Sequence, residues 1–459
     1  MRFELTKEFL AELRQKIVAQ DRLWIQEQVL ELHYAEVAEI LDKLTNDEAK
    51  FIYFMVDEDT QADILMELEE EVRDRFLASL SSKEMADQLE NLDSDDAADI
   101  LGDLPDEKIQ EVISQMEDDE AAEDIVDLLN YDDDTAGGLM QKEFFQANVE
   151  WPVNRAIIEL RKQAEDVEKV YNIFVVDDDD HLLGVLSLKR LLFANARTKI
   201  ENIYQSKKII SVKASDSAEV VAKVMEKYDL VSVPVVDYQN KLVGRITLDD
   251  VVDYIKEEAD KDYQLASGIS EDVESGDSIW TLTRARLPWL LIGMGGGMSS
   301  AYIIGLYDIT ENPQMAIFMP LIAATGGNVG VQSAALVVKA LANQSVLDET
   351  VWRKLLKELG VGSFNGLICS LLIFFTTQLF HFDLSMSITA SLALFSVIVF
   401  ASISGTYIPL TLNRFGIDPA LATGPFITTT NDIIGLIIYF GVGKMLHTYL
   451  LTMPFNIFH

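Results

Sequence analysis

Residues 417–440 read IDPALATGPFITTTNDIIGLIIYF, and the apolar run that begins at Pro425 continues to about residue 450. Such a run exceeds the roughly 20 residues that a helix needs to cross about 30 Å of hydrocarbon. Within it stands one carboxylate, Asp432. An ionised side chain at that depth costs a few kcal/mol, so Asp432 is expected to face a pore, a partner charge or a proton path rather than lipid. Lys444 is the only cation inside an apolar stretch. It lies twelve residues along the same run, about 18 Å away on a helix, which excludes an intrahelical pair. A pairing would need another helix or subunit.

Four further stretches of spanning length precede this one, at about 287–307, 315–338, 359–380 and 384–413. Asp432 is the only acid in any of the five as so bounded. The basic residues predict orientation. Arg284 and Arg286 precede the first stretch, Lys339, Arg353, Lys354 and Lys357 flank the second loop, and Arg414 sits in the fourth. The first loop (Asp308, Glu311) and the third (His381, Asp383) carry no Lys or Arg. Five spans with the N-terminal half in the cytoplasm and a short C-terminus outside satisfy this pattern.

The second stretch carries Thr325-Gly326-Gly327-Asn328-Val329-Gly330-Val331-Gln332-Ser333 at mid-span. Glycines and polar side chains there are tolerable only beside a water-filled cavity or tightly packed protein. Packing alone accounts for glycines, but not for Asn328 and Gln332, four residues apart on one face. The Gly293–Gly297 run of the first stretch reads as packing. Thr325, Gly326, Gly327, Asn328, Gln332, Asn431 and Asp432 are thus the expected lining of an ion pathway. Oxygen-rich linings suit hard cations, and Mg2+, which dehydrates reluctantly, would pass with much of its water retained. One Asp per chain is too few for a cage; a homodimer would set two Asp432 side chains about one axis.

The remainder of the chain is soluble in character and strongly acidic. Residues 1–285 hold 30 Lys+Arg against 68 Asp+Glu, a net of −38, whereas residues 286–459 hold 7 and 8, a net of −1. That half repels nucleic acid and anionic lipid and attracts divalent cations. The single cysteine, Cys369, rules out an internal disulfide framework or a Cys-based metal site. The opening MRFELTKEFLAELRQK has no apolar core of a secretory signal.

Two internal repeats organise this half. From Leu32 an apolar residue recurs every twelve positions, through Leu44, Val56, Leu68, Leu80, Leu92, Leu104 and Met116 to Leu128. The joints carry helix-start chemistry, with Thr45 and Ser81 followed three residues on by Glu48 and Glu84, and with the acidic run Asp93-Ser94-Asp95-Asp96. A solenoid of two-turn helices is predicted, each stable only by stacking on its neighbours. The second repeat has a period of 60. YNIFVVDDDDHLLGVLSLKRLL (171–192) aligns with VSVPVVDYQNKLVGRITLDDVV (231–252), matching Asp177 to Asp237, Gly184 to Gly244 and Ser187 to Thr247. Each copy predicts strand, acidic turn, strand opening at Gly, and a helix capped by Ser or Thr. This pattern resembles a tandem pair of CBS domains, α/β modules that often bind nucleotides or ions.

On the helix after Thr247, Asp250, Asp253 and Glu257 share a face, and Glu258 and Asp262 form an i, i+4 pair. Like charges so placed call for a neutralising cation. Bound Mg2+ would bridge such carboxylates and draw the acidic domains together, and its loss would release them, a ligand-biased switch.

The combination of an acidic helical N-domain, paired CBS domains, five spans, TGGNVGVQSA in span two and IDPALATGPFITTTNDIIGLIIYF leading into span five resembles the MgtE family of bacterial Mg2+ channels or transporters over nearly the whole chain. The resemblance implies a multi-pass homodimer of the bacterial plasma membrane, an ion path at the subunit interface with selectivity centred on Asp432, and closure when cytosolic Mg2+ is high. It adds Glu219, Asp229, Asp418, Asp95 and Asp99 to the expected regulatory ligands, and leaves open whether ATP also binds the CBS pair. Val331 departs from the polar residue expected there and is left out of the lining. The implied segments are an all-α solenoid N-domain (1–136), α/β CBS domains (137–200 and 201–262), a connecting helix or linker (263–284) and an all-α transmembrane domain of five helices (285–459). An enzyme is disfavoured, because the five histidines are scattered singly rather than arranged as metalloprotease ligands. A transporter of Co2+ or Mn2+, or a non-conducting Mg2+ sensor, remain the alternatives.

Overall fold

The computed structural model describes residues 3–163, 172–206, 209–270, 273, 277–307, 313–342 and 351–452. The chain divides into two units, Met1–Lys256 and Glu257–His459.

The first unit opens with α1 (Lys7–Val18) and α2 (Arg22–Gln28), followed by the repeat helices. These are α3 (Tyr34–Leu41), α4 (Asn46–Tyr53), α5 (Glu58–Glu67), α6 (Glu70–Leu77), α7 (Ser82–Leu89), α8 (Ser94–Gly102), α9 (Asp106–Ile113) and α10 (Asp119–Leu128). From α3 to α9 every start falls twelve residues after the last, as the sequence period predicts. The repeating apolar residue occupies the joint just ahead of the helix cap, where Leu44, Leu68 and Leu80 are buried. A side chain in that place fixes the angle at which the chain enters the helix. Ser81 shows the capping chemistry: its hydroxyl accepts the Glu84 amide at 3.2 Å while the Glu84 carboxylate accepts the Ser81 amide at 2.8 Å. The period slips by one at α10, so Leu128 ends that helix instead of plugging a joint.

The second repeat forms two small sheets. One contains β1 (Phe145–Asn148), β2 (Ile173–Val176) and β3 (Leu182–Leu186), with α11 (Val153–Gln163) between β1 and β2 and α12 (Leu188–Phe193) after β3. The other contains β4 (Val212–Lys213), β5 (Ser232–Val236) and β6 (Leu242–Thr247), with α13 (Ala218–Tyr228) and α14 (Leu248–Ala266) in matching places. In each, the first pairing is parallel and the second antiparallel, and the register slips at the same repeat position, Val175/Val176 and Val235/Val236. The acidic turns are explained by local hydrogen bonding. Asp177 accepts the amides of Asp179 and His181, and Asp237 those of Gln239 and Lys241, at 2.8–3.0 Å. Each turn then places a left-handed residue, Asp180 or Asn240, at the same point. The two copies join through reciprocal bonds, Leu182 N–H to Asn240 C=O at 3.0 Å and Leu242 N–H to Asp180 C=O at 2.9 Å. Gly184 and Gly244 stand where the backbone of Gln205 and the Met140 side chain leave no room for a Cβ.

The predicted caps hold in one copy and change in the other. Ser187 caps α12 by accepting the Arg190 amide. In the second copy Thr247 is instead the donor, giving its amide and hydroxyl to the Asp250 carboxylate at 2.8 and 2.9 Å.

The second unit contains five helices long and apolar enough to cross a membrane: α15 (Ile279–Leu306), α16 (Met315–Ala342), α17 (Val351–Leu379), α18 (Leu384–Arg414) and α19 (Gly424–Thr452). Two start earlier than hydropathy indicated, α15 at Ile279 and α17 at Val351, because their first turns are polar yet helical. α18 is the centre of the bundle, packed against α16, α17 and α19. Ala390, Ala393, Val397, Ile398 and Ala401 of α18 are fully buried there. α15 rests on α19, where Gly296 meets the Thr429 side chain. A Cβ on Gly293, Gly295 or Gly297 would meet nothing within 4 Å among the described residues, so only Gly296 of that run is a packing glycine within the chain as described. Asp308 and Glu311 of the first loop lie outside the described residues.

Candidate functional site

Asp432 lies eight residues into α19 and is half-buried. Its Oδ1 is buried without a hydrogen-bond partner, and no ion pair to it occurs among the described residues. The glycines of α16 make the room around it. A Cβ on Gly327 would stand 3.0 Å from Thr428 Cγ2 and 3.4 Å from Asp432 Oδ1. A Cβ on Gly330 would overlap Asn431 Nδ2 and stand 2.7 Å from Ile427 Cγ2. On Gly326 it would approach Val397 Cγ1 to 2.9 Å. These glycines therefore let α19 and α18 lie against α16, the close packing through small residues seen in membrane helices. α16 is helical from end to end through these positions.

The polar residues of the expected lining divide into two sets. Asn431 is inward-facing, 1% exposed, and its Oδ1 accepts the Ser404 hydroxyl at 2.9 Å while Nδ2 has no partner among the described residues. Thr325 on α16 is half-buried and returns its hydroxyl to Leu321 C=O at 2.7 Å. Asn328 and Gln332 are exposed, on the flank of α16 opposite to Gly330 and Ser333. Uncharged amides at mid-span on an otherwise apolar surface require water or protein beside them.

A second acid on the helices of spanning length escaped hydropathy. Glu358 lies two turns into α17, one residue before the stretch that hydropathy marked, and its Oε1 accepts hydroxyls from Ser333 and Ser402 at 2.6 and 2.7 Å. Asp432 is therefore not the only acid in the spanning helices. The neighbouring Lys354 and Lys357 lower the mean hydropathy of this turn, which is why a window read from the sequence excludes it.

In the soluble unit the structure gathers Asp95, Asp99 and Asp250 with three acids that periodicity did not single out as ligands, Asp93, Asp96 and Glu143. Asp95 is 6% exposed and its Oδ1 has no hydrogen-bond partner among the described residues. Burial, then the charges of Asp250, Asp96, Asp93 and Glu143, hold its carboxyl well above the usual range. Burial and then Asp93 and Asp250 push Asp96 up to about 7. Glu143 is raised by burial and then by Asp93, although it accepts the Ser94 amide and hydroxyl at 3.1 and 2.9 Å. Asp250 is raised chiefly by burial. Crowded carboxylates of this kind bind protons or cations in preference to remaining bare. Among the described residues no three His, Cys, Asp or Glu side chains already converge at metal-binding distance.

The other expected regulatory ligands stand elsewhere, several with structural partners of their own. Glu219 is ion-paired with Lys223, and Asp229 closes α13 in a left-handed conformation. Asp253 is exposed. Glu257 and Glu258 both reach Lys261, at 2.9 and 3.5 Å, so part of the expected like-charge repulsion on α14 is relieved within the helix. Asp418 accepts the Ala420 amide at 2.7 Å, and its charge, after burial, raises the carboxyl of Asp262.

Five helices of spanning length, one of them carrying a carboxylate whose buried oxygen has no partner among the described residues, joined in one chain to an acid-rich unit, define a membrane protein that handles cations. Comparison with known proteins makes this specific. Residues 319–442 match the MgtE model, described as a divalent cation transporter, residues 32–134 match the MgtE intracellular N domain, and residues 136–197 and 200–257 match CBS domains. The chain is 36% identical over 330 residues to the magnesium transporter MgtE of Enterococcus faecalis, covering 72% of each protein. It is 36% identical over 324 residues to that of Thermus thermophilus, covering 70% of this chain and 71% of the relative. The crystal structure of the soluble part of a magnesium transporter matches at a TM-score of 0.50 and 32% identity, over 55% of this chain and 99% of that one. The chain belongs to the MgtE family of divalent cation transporters.

Proposed function

We propose that this protein conducts Mg2+ across the bacterial plasma membrane as a homodimer, with Asp432 in the ion pathway, and that Mg2+ bound by its acidic cytoplasmic half closes it. The single observation carrying the pathway is the Asp432 carboxylate, held inside a helix of spanning length with a buried oxygen that no group among the described residues satisfies. An uncompensated carboxylate at that depth is sustained by water and a visiting cation. Asn328 and Gln332, exposed on the outer flank of α16, supply polar surface where a second protomer would complete the path.

For regulation, the crowded set Asp93, Asp95, Asp96, Asp99, Glu143 and Asp250 favours uptake of positive charge, and the Asp262–Asp418 pair repeats the pattern near the start of α19. A divalent ion relieves such repulsion far better than a monovalent one, because its attraction to each carboxylate doubles. The basic residues flanking the spans support the N-terminal half as cytoplasmic.

The test is Mg2+ uptake into proteoliposomes by Asp432→Ala beside the unmodified protein. Loss of flux with an unchanged elution profile and unfolding temperature is expected. Normal Mg2+ flux in Asp432→Ala overturns the pathway, and preferential flux of Co2+ or Mn2+ in the unmodified protein overturns the choice of ion.

A further inference from the structure

Glu358, Ser333 and Ser402 bring three oxygens from three helices together inside the bundle. Ser333 and Ser402 are 5% and 1% exposed, their hydroxyl oxygens are 3.4 Å apart, and both donate to the same Glu358 oxygen. Hydroxyl bonds to a carboxylate are short and charge-assisted, and with both serines buried little water is at hand to replace them when they break. One turn beyond Glu358, a Cβ on Gly362 would stand 2.8 Å from Ser402 Cβ, so α17 and α18 are held close at this level.

Contacts from this cluster lead to Asp432 without slack. One turn back from Ser333, Gly330 offers its carbonyl to the space that a Cβ of Gly405 would fill. The other side of Gly330 is filled by the Asn431 amide, which Ser404 holds at 2.9 Å. Asn431 directly precedes Asp432 on α19. Each link is a hydrogen bond or a glycine contact, so a shift of α16 or α18 against α17 is passed to the Asn431–Asp432 turn.

We propose that Glu358 is a positioning residue for ion conduction: by tying Ser333 of α16 and Ser402 of α18 to α17, it sets the helix register that places Asn431 and Asp432 in the pathway. The inference rests on the reading of Asp432 as a pathway residue. It gives the carboxylate of α17 a function without requiring it to meet the ion.

The experiment measures Mg2+ flux against concentration, and the flux ratio of Mg2+ to Co2+, in proteoliposomes of Glu358→Gln, Glu358→Leu and the double variant Ser333→Ala/Ser402→Ala. Gln keeps an acceptor oxygen, so Glu358→Gln should retain the unmodified half-saturating concentration and ion preference. Leu and the serine pair variant should each shift half-saturation by about tenfold or change the ion ratio, since displacing a site by about 1 Å costs this much or more. A merely destabilised protein would lose maximal flux in proportion to the folded fraction without moving either quantity. Unmodified half-saturation and ion ratio in the serine pair variant overturn the proposal, whether or not the Leu variant folds. Flux retained by Asp432→Ala would instead overturn the pathway reading, so the two failures are distinguishable.

Discussion

Gly330→Ala tests how tightly α16 and α19 are fitted beside the proposed pathway. The new methyl group would overlap Asn431 Nδ2 and stand 2.7 Å from Ile427 Cγ2. Asn431 is 1% exposed, so to make room it must give up the Ser404 bond at 2.9 Å or force α19 away from α16. Overpacking of this kind costs about 2 kcal/mol, and the lost buried hydrogen bond about 1 kcal/mol more. Against these, the better helix propensity of Ala returns about 1 kcal/mol. The net loss is about 2 kcal/mol, which for a unit of this size lowers the unfolding temperature by about 4–8 °C. Gly360→Ala is the internal control, because nothing lies within 4 Å of a Cβ there among the described residues; it should be neutral or slightly stabilising. Thermal unfolding in detergent reads stability, and Mg2+ flux in proteoliposomes reads the pathway, which should fall about tenfold or more as the Asn431–Asp432 turn is displaced. Equal stability and flux in the two Ala variants would refute the claim that Asn431 fills the space beside Gly330.

The soluble unit carries its own signature in pH and divalent ion. Because the Asp96 carboxyl is raised from 3.8 to about 7, the folded state keeps a proton that the unfolded chain releases; in chelator, stability should be lost as pH rises from about 4 through about 7. Asp96→Asn should flatten that part of the slope, and added Mg2+ should restore stability at the alkaline end by about 3 kcal/mol at a hundredfold excess over its dissociation constant. Thermal scans of the full-length protein at both pH extremes decide it, and an unchanged slope in Asp96→Asn counts against the crowded cluster. Removal of residues 1–262 should leave Mg2+ flux that millimolar cytosolic-side Mg2+ no longer suppresses; persistent suppression in patch recordings would move the sensor out of that half.

Much of this architecture was legible along the chain because it is periodic or local. A twelve-residue spacing dictates where the solenoid helices α3 to α9 start, and at Ser81 the Glu three residues on completes a reciprocal cap that satisfies the first free amides. The 60-residue repeat likewise marks two matching sheets down to their shared register slip. Five runs of spanning length, and a carboxylate in the last, follow from composition. Family membership was legible for the same reason, since TGGNVGVQSA and the segment around Asp432 are contiguous.

What tertiary structure alone decided is which distant side chains meet. Glu143 comes beside Asp93 and Asp95 across some fifty positions of sequence, and only their shared burial makes them a cluster rather than solvated charges. Gly330 reads as one of several mid-span glycines until the Asn431 amide is found where its Cβ would stand. Glu358 reads as the polar edge of a span until Ser333 and Ser402 close on it. Sequence spacing determines the faces of single helices, whereas the energy of a buried carboxylate is set by the groups that surround it in space, and those come from other helices.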